Sequence, residues 1–289
     1  MFIDASGNPC ANYNKTADCT LYAHWTANQH QLTVHDDNGG SYKLTATYAS
    51  PLPDVTVPTK EGYTFTGYFG ASNDQFIDAN GHATANGNPY MKNYTIDLYP
   101  HWTANHYMMR VNHDDFTEEF DVTYDAGWPW VNIPSKPGYT FKGYYNEEGI
   151  MIYDDHCQSQ FPKYCFAKDL VLTPVWEANH YRIIIAGENS SEEIDVTYGG
   201  SWPSVNIPSK PGYTFHGYFD EYGTMFYDER CQSQSSSYTF TNDLHLTPSY
   251  TPNTYTITFD SQKAKTKGTQ SLTVTFDTKA ADIEIPSKD

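Results

Sequence analysis

The stretch Gly62-Tyr63-Thr64-Phe65-Thr66-Gly67-Tyr68-Phe69 decides the architecture, because the chain writes it three times. It returns as Gly138-Tyr139-Thr140-Phe141-Lys142-Gly143-Tyr144-Tyr145 and as Gly212-Tyr213-Thr214-Phe215-His216-Gly217-Tyr218-Phe219, at separations of 76 and 74 residues. A second marker, at His24-Trp25, His101-Trp102, Val175-Trp176 and Ser249-Tyr250, recurs at 77, 74 and 74. Two independent markers share one period of about 75 residues, the mark of a serial array of small units.

Outward from that stretch, each unit has the same order. The junction residues Thr26–Asn28, Thr103–Asn105, Glu177–Asn179 and Thr251–Asn253 precede a strand, clearest at Tyr255–Phe259. Period-two alternation marks a second strand at Glu193–Tyr198 and Ser271–Phe276, as expected of a strand with one buried face. A connector with two prolines, Val205–Gly212, follows. Prolines cannot donate to a central ladder, so this piece is expected on an edge or in a loop. Then come the Gly-Tyr-Thr-Phe strand, a tight turn such as Asn146–Gly149 or Asp220–Gly223, and a closing strand such as Leu98–Trp102. This register predicts a mainly β chain with little helix. It gives three complete modules at 27–103, 104–177 and 178–251, the tail of one at 1–26 and the head of another at 252–289. Completion of the partial ends between chains, by strand exchange into a filament, is an alternative.

Composition agrees with β structure and restricts the partners. Aromatics make up 16% of the chain and Tyr alone 25 residues, and Tyr and Thr suit pleated, half-buried surfaces. A formal charge of −18 repels phosphate backbones and anionic lipid, so neither nucleic acid nor a membrane surface is an expected partner. No apolar run is long enough to span a membrane, and the opening residues lack the pattern of a secretory leader.

The motifs Leu21-Tyr22-Ala23-His24-Trp25-Thr26-Ala27-Asn28, Val196-Thr197-Tyr198-Gly199 and Pro208-Ser209-Lys210-Pro211-Gly212-Tyr213-Thr214-Phe215, in this order and spacing, resemble the Listeria–Bacteroides repeat, the B-repeat class of internalin-like surface proteins. The resemblance covers nearly the whole chain. It implies a small β-grasp-like module strung in series on bacterial, and sometimes protist, surface proteins, where it extends, presents or adheres and has no catalytic residues. The chain departs from the pattern in its Gly-Tyr-aromatic third strand and in its cysteines.

Cys157 with Cys165, and Cys10 with Cys19, could close short loops as disulfides, which fits a secreted chain. Each would stabilise by about 2–3 kcal/mol if geometry allows. Cys231, in the next copy, is left over, and free thiols are the competing reading. Zinc has no pair of Cys-x2–4-Cys motifs to hold it. The histidines at the junctions (His24, His30, His101, His106, His180) follow from copying one strand position, and a surface role is expected for them. The clusters at Asp36–Gly39, Asp114–Asp115 and Asp74–Gly81 lack the calcium-loop spacing, and turns rich in Asp and Asn explain them equally well.

Catalysis needs nucleophile, base and orienter in one pocket, and the chain shows no hydrolase elbow, zinc-protease or phosphate-loop motif. An enzyme is therefore not expected, nor any cofactor or bound metal. Trp128 and Trp202 are expected to cover a small core, whereas Trp130, present in one copy only, is expected to be exposed and is the candidate ligand contact. Asn14, Asn93 and Asn189 stand in Asn-x-Ser/Thr and would carry glycans in a eukaryotic secreted chain. The expected role is an extracellular or cell-surface spacer or adhesin making weak multivalent contacts with other surface proteins, glycans or copies of itself. Recognition of a glycan or protein through Trp130 is the alternative.

Overall fold

The computed structural model describes residues 2–12, 14–187 and 190–287. These residues form strands, turns and extended connectors, with no helix among them. The chain divides into two compact units. The first is Met1–Tyr107 with Thr123–Ala126 and Tyr164–Ala167; the second is Met108–Val122, Gly127–Lys163 and Lys168–Asp289.

The first unit contains β1 (Gln29–His35), β2 (Ser41–Thr47), β3 (Tyr63–Phe69), β4 (Gln75–Ile77) and β5 (Asp97–Ala104). They make one sheet in the order β2-β1-β5-β3-β4. The hairpin β1–β2 runs in register from Gln29 opposite Thr47 to His35 opposite Ser41. β1 lies parallel to the start of β5, Thr33 opposite Asp97 and Val34 opposite Leu98. β5 then pairs antiparallel with β3 through a bulge between Phe65 and Gly67. Pro100 sits inside this central strand because β1 pairs only with the first two residues of β5, so the proline interrupts no second ladder.

Alternation buries one face. Leu32, Val34, Leu44 and Ala46 point into a core with Phe65, Tyr68, Phe76, Ile77, Tyr90 and Leu98, and Trp102 packs on its edge. The connector 48–61 contains no strand. Leu52 N–H donates to the Gly87 carbonyl at 2.8 Å and Val55 N–H to the Gly81 carbonyl at 2.9 Å. The prolines thus lie in a strap over the core, outside the ladder.

The same order recurs twice more. β6 (His106–Asn112), β7 (Thr117–Thr123), β8 (Tyr139–Asn146), β9 (Met151–Tyr153) and β10 (Leu170–Ala178), almost wholly in the second unit, form β7-β6-β10-β8-β9. β11 (His180–Ala186), β12 (Ser191–Thr197), β13 (Tyr213–Phe219), β14 (Met225–Tyr227) and β15 (Leu244–Pro252) form β12-β11-β15-β13-β14. The third core gathers Ile183, Ile185, Phe215, Tyr218, Tyr227, Tyr238, Leu244 and Leu246, all from within 183–246. β16 (Thr254–Thr258) and β17 (Ser271–Thr275) pair as a two-stranded sheet.

Tyrosine burial differs from the expectation of half-buried rings. Tyr90, Tyr144, Tyr153, Tyr164, Tyr227 and Tyr238 are fully enclosed. Backbone carbonyls make this possible, since a buried hydroxyl is tolerated once it has an acceptor. Tyr153 and Tyr227 donate to the carbonyls of Pro129 and Pro203 at 2.8 and 2.9 Å. Tyr90 and Tyr238 donate to those of Tyr94 and Asn242 at 2.7 and 2.6 Å.

Candidate functional site

The most regular constellation is the clasp at each junction asparagine. In the first unit, Asn105 N–H donates to the Gly62 carbonyl and Tyr124 N–H to the Asn105 carbonyl, both at 2.9 Å. The Thr64 hydroxyl donates to Asn105 Oδ1. Tyr63 meets Tyr124 edge-on at 5.4 Å and donates to Asp125 Oδ2 at 3.2 Å. In the second unit the pattern repeats with Gly138, Asn179 and Tyr198, and again with Gly212, Asn253 and Phe276. Thr140 and Thr214 donate to Asn179 and Asn253 at 2.6 Å.

A lysine completes each clasp. Lys60 Nζ lies 4.5 Å from the Tyr63 ring centre and 5.7 Å from that of Trp102. Lys136 sits over Tyr139 and Trp176, and Lys210 over Tyr213 and Tyr250. A cation between two ring faces is held electrostatically, which accounts for the lysine two residues before each glycine.

The tryptophans divide as expected. Trp202 packs against Phe226, Tyr227, Tyr238 and Phe240, and its indole N–H donates to the Ser237 carbonyl at 3.0 Å. Trp128 packs against Tyr153 and Phe161. Trp130 is 76% exposed.

The cysteines correct the sequence reading, because all five are free. Cys10, Cys19 and Cys165 are exposed, whereas Cys157 and Cys231 are buried. Cys157 turns its Sγ toward the Asn132 carbonyl at 3.4 Å, away from any role in closing a loop. Its position explains this. Cys157 and Cys231 occupy the left-handed backbone position (φ 55° and 59°) that Gly7 and Gly81 hold in the other copies, three residues after an aspartate in each case. Burial pushes the Cys157 thiol up to about 11, with the Asp154 charge adding to it. Cys157 and Cys231 therefore serve as small core side chains.

Those aspartates each close a turn, Asp78 of the Asp74–Gly81 cluster among them. Asp4, Asp78, Asp154 and Asp228 each accept two backbone N–H groups on Oδ1, from the residues two and four positions on. Asp36, in the turn between β1 and β2, and Asp220, in the turn between β13 and β14, do the same. The bond from His82 N–H holds the Asp78 carboxyl below the usual range, and that from Gln158 N–H does so for Asp154. Among the described residues, Asp154, Asp155 and His156 could jointly face an ion, but Asp154 is already committed to its turn.

The junction histidines do not converge. His30 Nε2 approaches Asn93 Oδ1 at 3.3 Å, His101 stacks on Phe69 at 4.3 Å, and His180 Nδ1 meets the Thr197 hydroxyl at 3.2 Å. Asn14 and Asn93 are exposed, and the Asn93 side chain also accepts from Asn28 Nδ2 at 3.4 Å. Asn189 lies outside the described residues. The central parallel pair, the enclosed tyrosines and the left-handed cysteine position were not read from the sequence. The alignment of Gly81 with Cys157 and Cys231 was the available signal for the last.

Three sheets of one strand order, with one clasp recurring at Asn105, Asn179 and Asn253, define a class: repeat proteins built from small mixed β-sheets. Residues 33–101 match the family model of the Listeria-Bacteroides repeat domain. Over 82% of its length the chain is 28% identical to a protein of Evansella cellulosilytica named "Putative Gly-rich membrane protein". Over 39% of its length it is 32% identical to Internalin H of Listeria monocytogenes. It spans 27% and 20% of those relatives' lengths. Among the described residues, no helix is long and apolar enough to cross a membrane.

Proposed function

We propose that this chain is a non-catalytic serial segment of a cell-surface protein, acting as a spacer that also makes repeated weak contacts with surface proteins or glycans. The observation that carries the reading is the clasp, which recurs at Asn105, Asn179 and Asn253 with the same donors and acceptors. A spacer needs each repeat bonded to the next along the chain, and the clasps at Asn179 and Asn253, both within the second unit, are bonds of that kind. Each unit is read as β-grasp-like, with the proline strap lying over the sheet. The modules are taken as 27–103, 104–177 and 178–251, each followed two residues on by a clasp asparagine.

Membrane-protein relatives and an internalin support a surface location. Repetition then turns weak single contacts into avidity, and Trp130, found in one copy, is the first side chain to examine for a contact.

Single-molecule stretching of the chain tests the spacer reading. Three unfolding events of equal length are expected, each releasing about 25 nm for a repeat of this size. One cooperative event for the whole chain would overturn it.

A further inference from the structure

The first unit holds a cleft of about 300 Å³ between the turn after β3 and the segment that leads into β5. Its lining includes the buried Phe76, the charged Asp74, Lys92 and Asp97, and the rings of Tyr94 and Tyr99. Both tyrosine rings stand free of the core, Tyr94 56% and Tyr99 44% exposed.

The walls are fixed. The fully buried Tyr90 donates to the Tyr94 carbonyl at 2.7 Å. On the other side, Gly70 N–H donates to the Asp74 carbonyl and Asn73 N–H to the Gly70 carbonyl, both at 2.9 Å. Tyr99 stacks flat on His35, with centres 4.5 Å apart and planes 5° apart. His35 Nε2 lies 3.2 Å from Asp97 Oδ1. The Tyr99 ring is thus held in place before any ligand arrives, beside the exposed ring of Tyr94.

Comparison within the chain shows that the fold does not need these rings. The structural aromatic Phe65, opposite Trp102, recurs as Phe141 opposite Trp176 and as Phe215 opposite Tyr250, and those closing aromatics are spaced by 74 residues. Tyr94, by contrast, becomes Lys168 and Asn242, and Tyr99 becomes Thr173 and Thr247. Two exposed tyrosines beside one cleft are thus an addition to the first of these repeats.

We propose that this cleft binds a neutral pyranose. A sugar ring has an apolar C–H face that stacks on tyrosine, and a hydroxyl edge that needs both acceptors and donors. Asp74 and Asp97 supply the acceptors and Lys92 the donor. The chain's net charge of −18 disfavours acidic sugars. The volume is at the lower end for small-molecule sites, which suits one or two rings. This assignment depends neither on the spacer reading nor on Trp130.

The test is saturation-transfer NMR on the full chain with the methyl glycosides of glucose, galactose, mannose and N-acetylglucosamine. At least one should bind with a dissociation constant in the range of about 1–10 mM. Tyr94→Asn and Tyr99→Thr install residues that other repeats carry at these positions, so the sheet should survive, as circular dichroism would verify. Each should weaken binding at least about tenfold, a loss of ~1.4 kcal/mol, while Trp130→Ala leaves it unchanged. The proposal is overturned if none of the four sugars binds up to about 100 mM, roughly tenfold above the weakest expected constant. Binding that persists in both tyrosine variants, or that disappears in Trp130→Ala, overturns it equally.

Discussion

The ring of Tyr198 lies directly over the α-carbon of Gly138, so that a methyl group placed there would come within 2.3 Å of it. Tyr124 covers Gly62 and Phe276 covers Gly212 at 2.3 and 2.5 Å in the same way. Each glycine also has positive φ, 76°, 77° and 82° along the chain. The junction thus requires glycine twice, for backbone hand and for ring contact.

Gly138→Ala should destabilise by about 2–3 kcal/mol in urea denaturation, from left-handed strain plus displacement of Tyr198. Gly149 is the control, with φ 75° and open space around it. Gly149→Ala should cost only about 1 kcal/mol. Equal losses would show that the ring contact contributes nothing.

Trp202→Ala should cost about 3 kcal/mol, because it removes a ring packed on four aromatics and leaves a cavity. Trp130→Ala should stay within about 0.5 kcal/mol of the parent, as exposed substitutions do. Thermal melts of the two variants, compared side by side, decide this.

A thiol reagent should label Cys10, Cys19 and Cys165 quickly in the folded chain, and Cys157 and Cys231 only after denaturant is added. Exposure and thiolate character both set that order, and burial raises the thiols of Cys157 and Cys231. Fewer than three fast thiols in a non-reducing preparation would restore the disulfide reading.

Stability should fall on the alkaline side. Burial pushes Tyr68, Tyr218, Tyr227 and Tyr238 up to about 12, against about 10 for an unfolded chain. In that window the folded state holds more protons than the unfolded one, so unfolding becomes easier as pH rises. The contribution is intact below about pH 10 and is lost as pH passes through about 12. Melting temperature followed alongside tyrosinate absorbance checks it. Titration of all tyrosines near pH 10 without loss of structure would contradict the enclosed rings.

Particular strands were legible in the sequence. Period-two alternation placed β16 and β17 within a residue or so of Thr254–Thr258 and Ser271–Thr275, because alternation carries the strand period itself, although β16 is exposed along its whole length. The proline connector was rightly kept out of the ladder. The parallel pairing of β1 with the start of β5 was not visible, because it joins segments more than sixty residues apart and leaves no local pattern. The cleft was equally hidden. Tyr94 and Tyr99 look like any other tyrosines in a chain with 25 of them.

By itself, the sequence determined the repeat, its period and its strand order along the chain, since each depends on neighbours a few residues apart or on copies of the same motif. Only the tertiary structure decided which tyrosines are enclosed, that Cys157 and Cys231 are core residues, and which aromatic rings remain for a ligand. Those outcomes depend on which distant carbonyl or ring arrives opposite a side chain, and burial is set by that encounter.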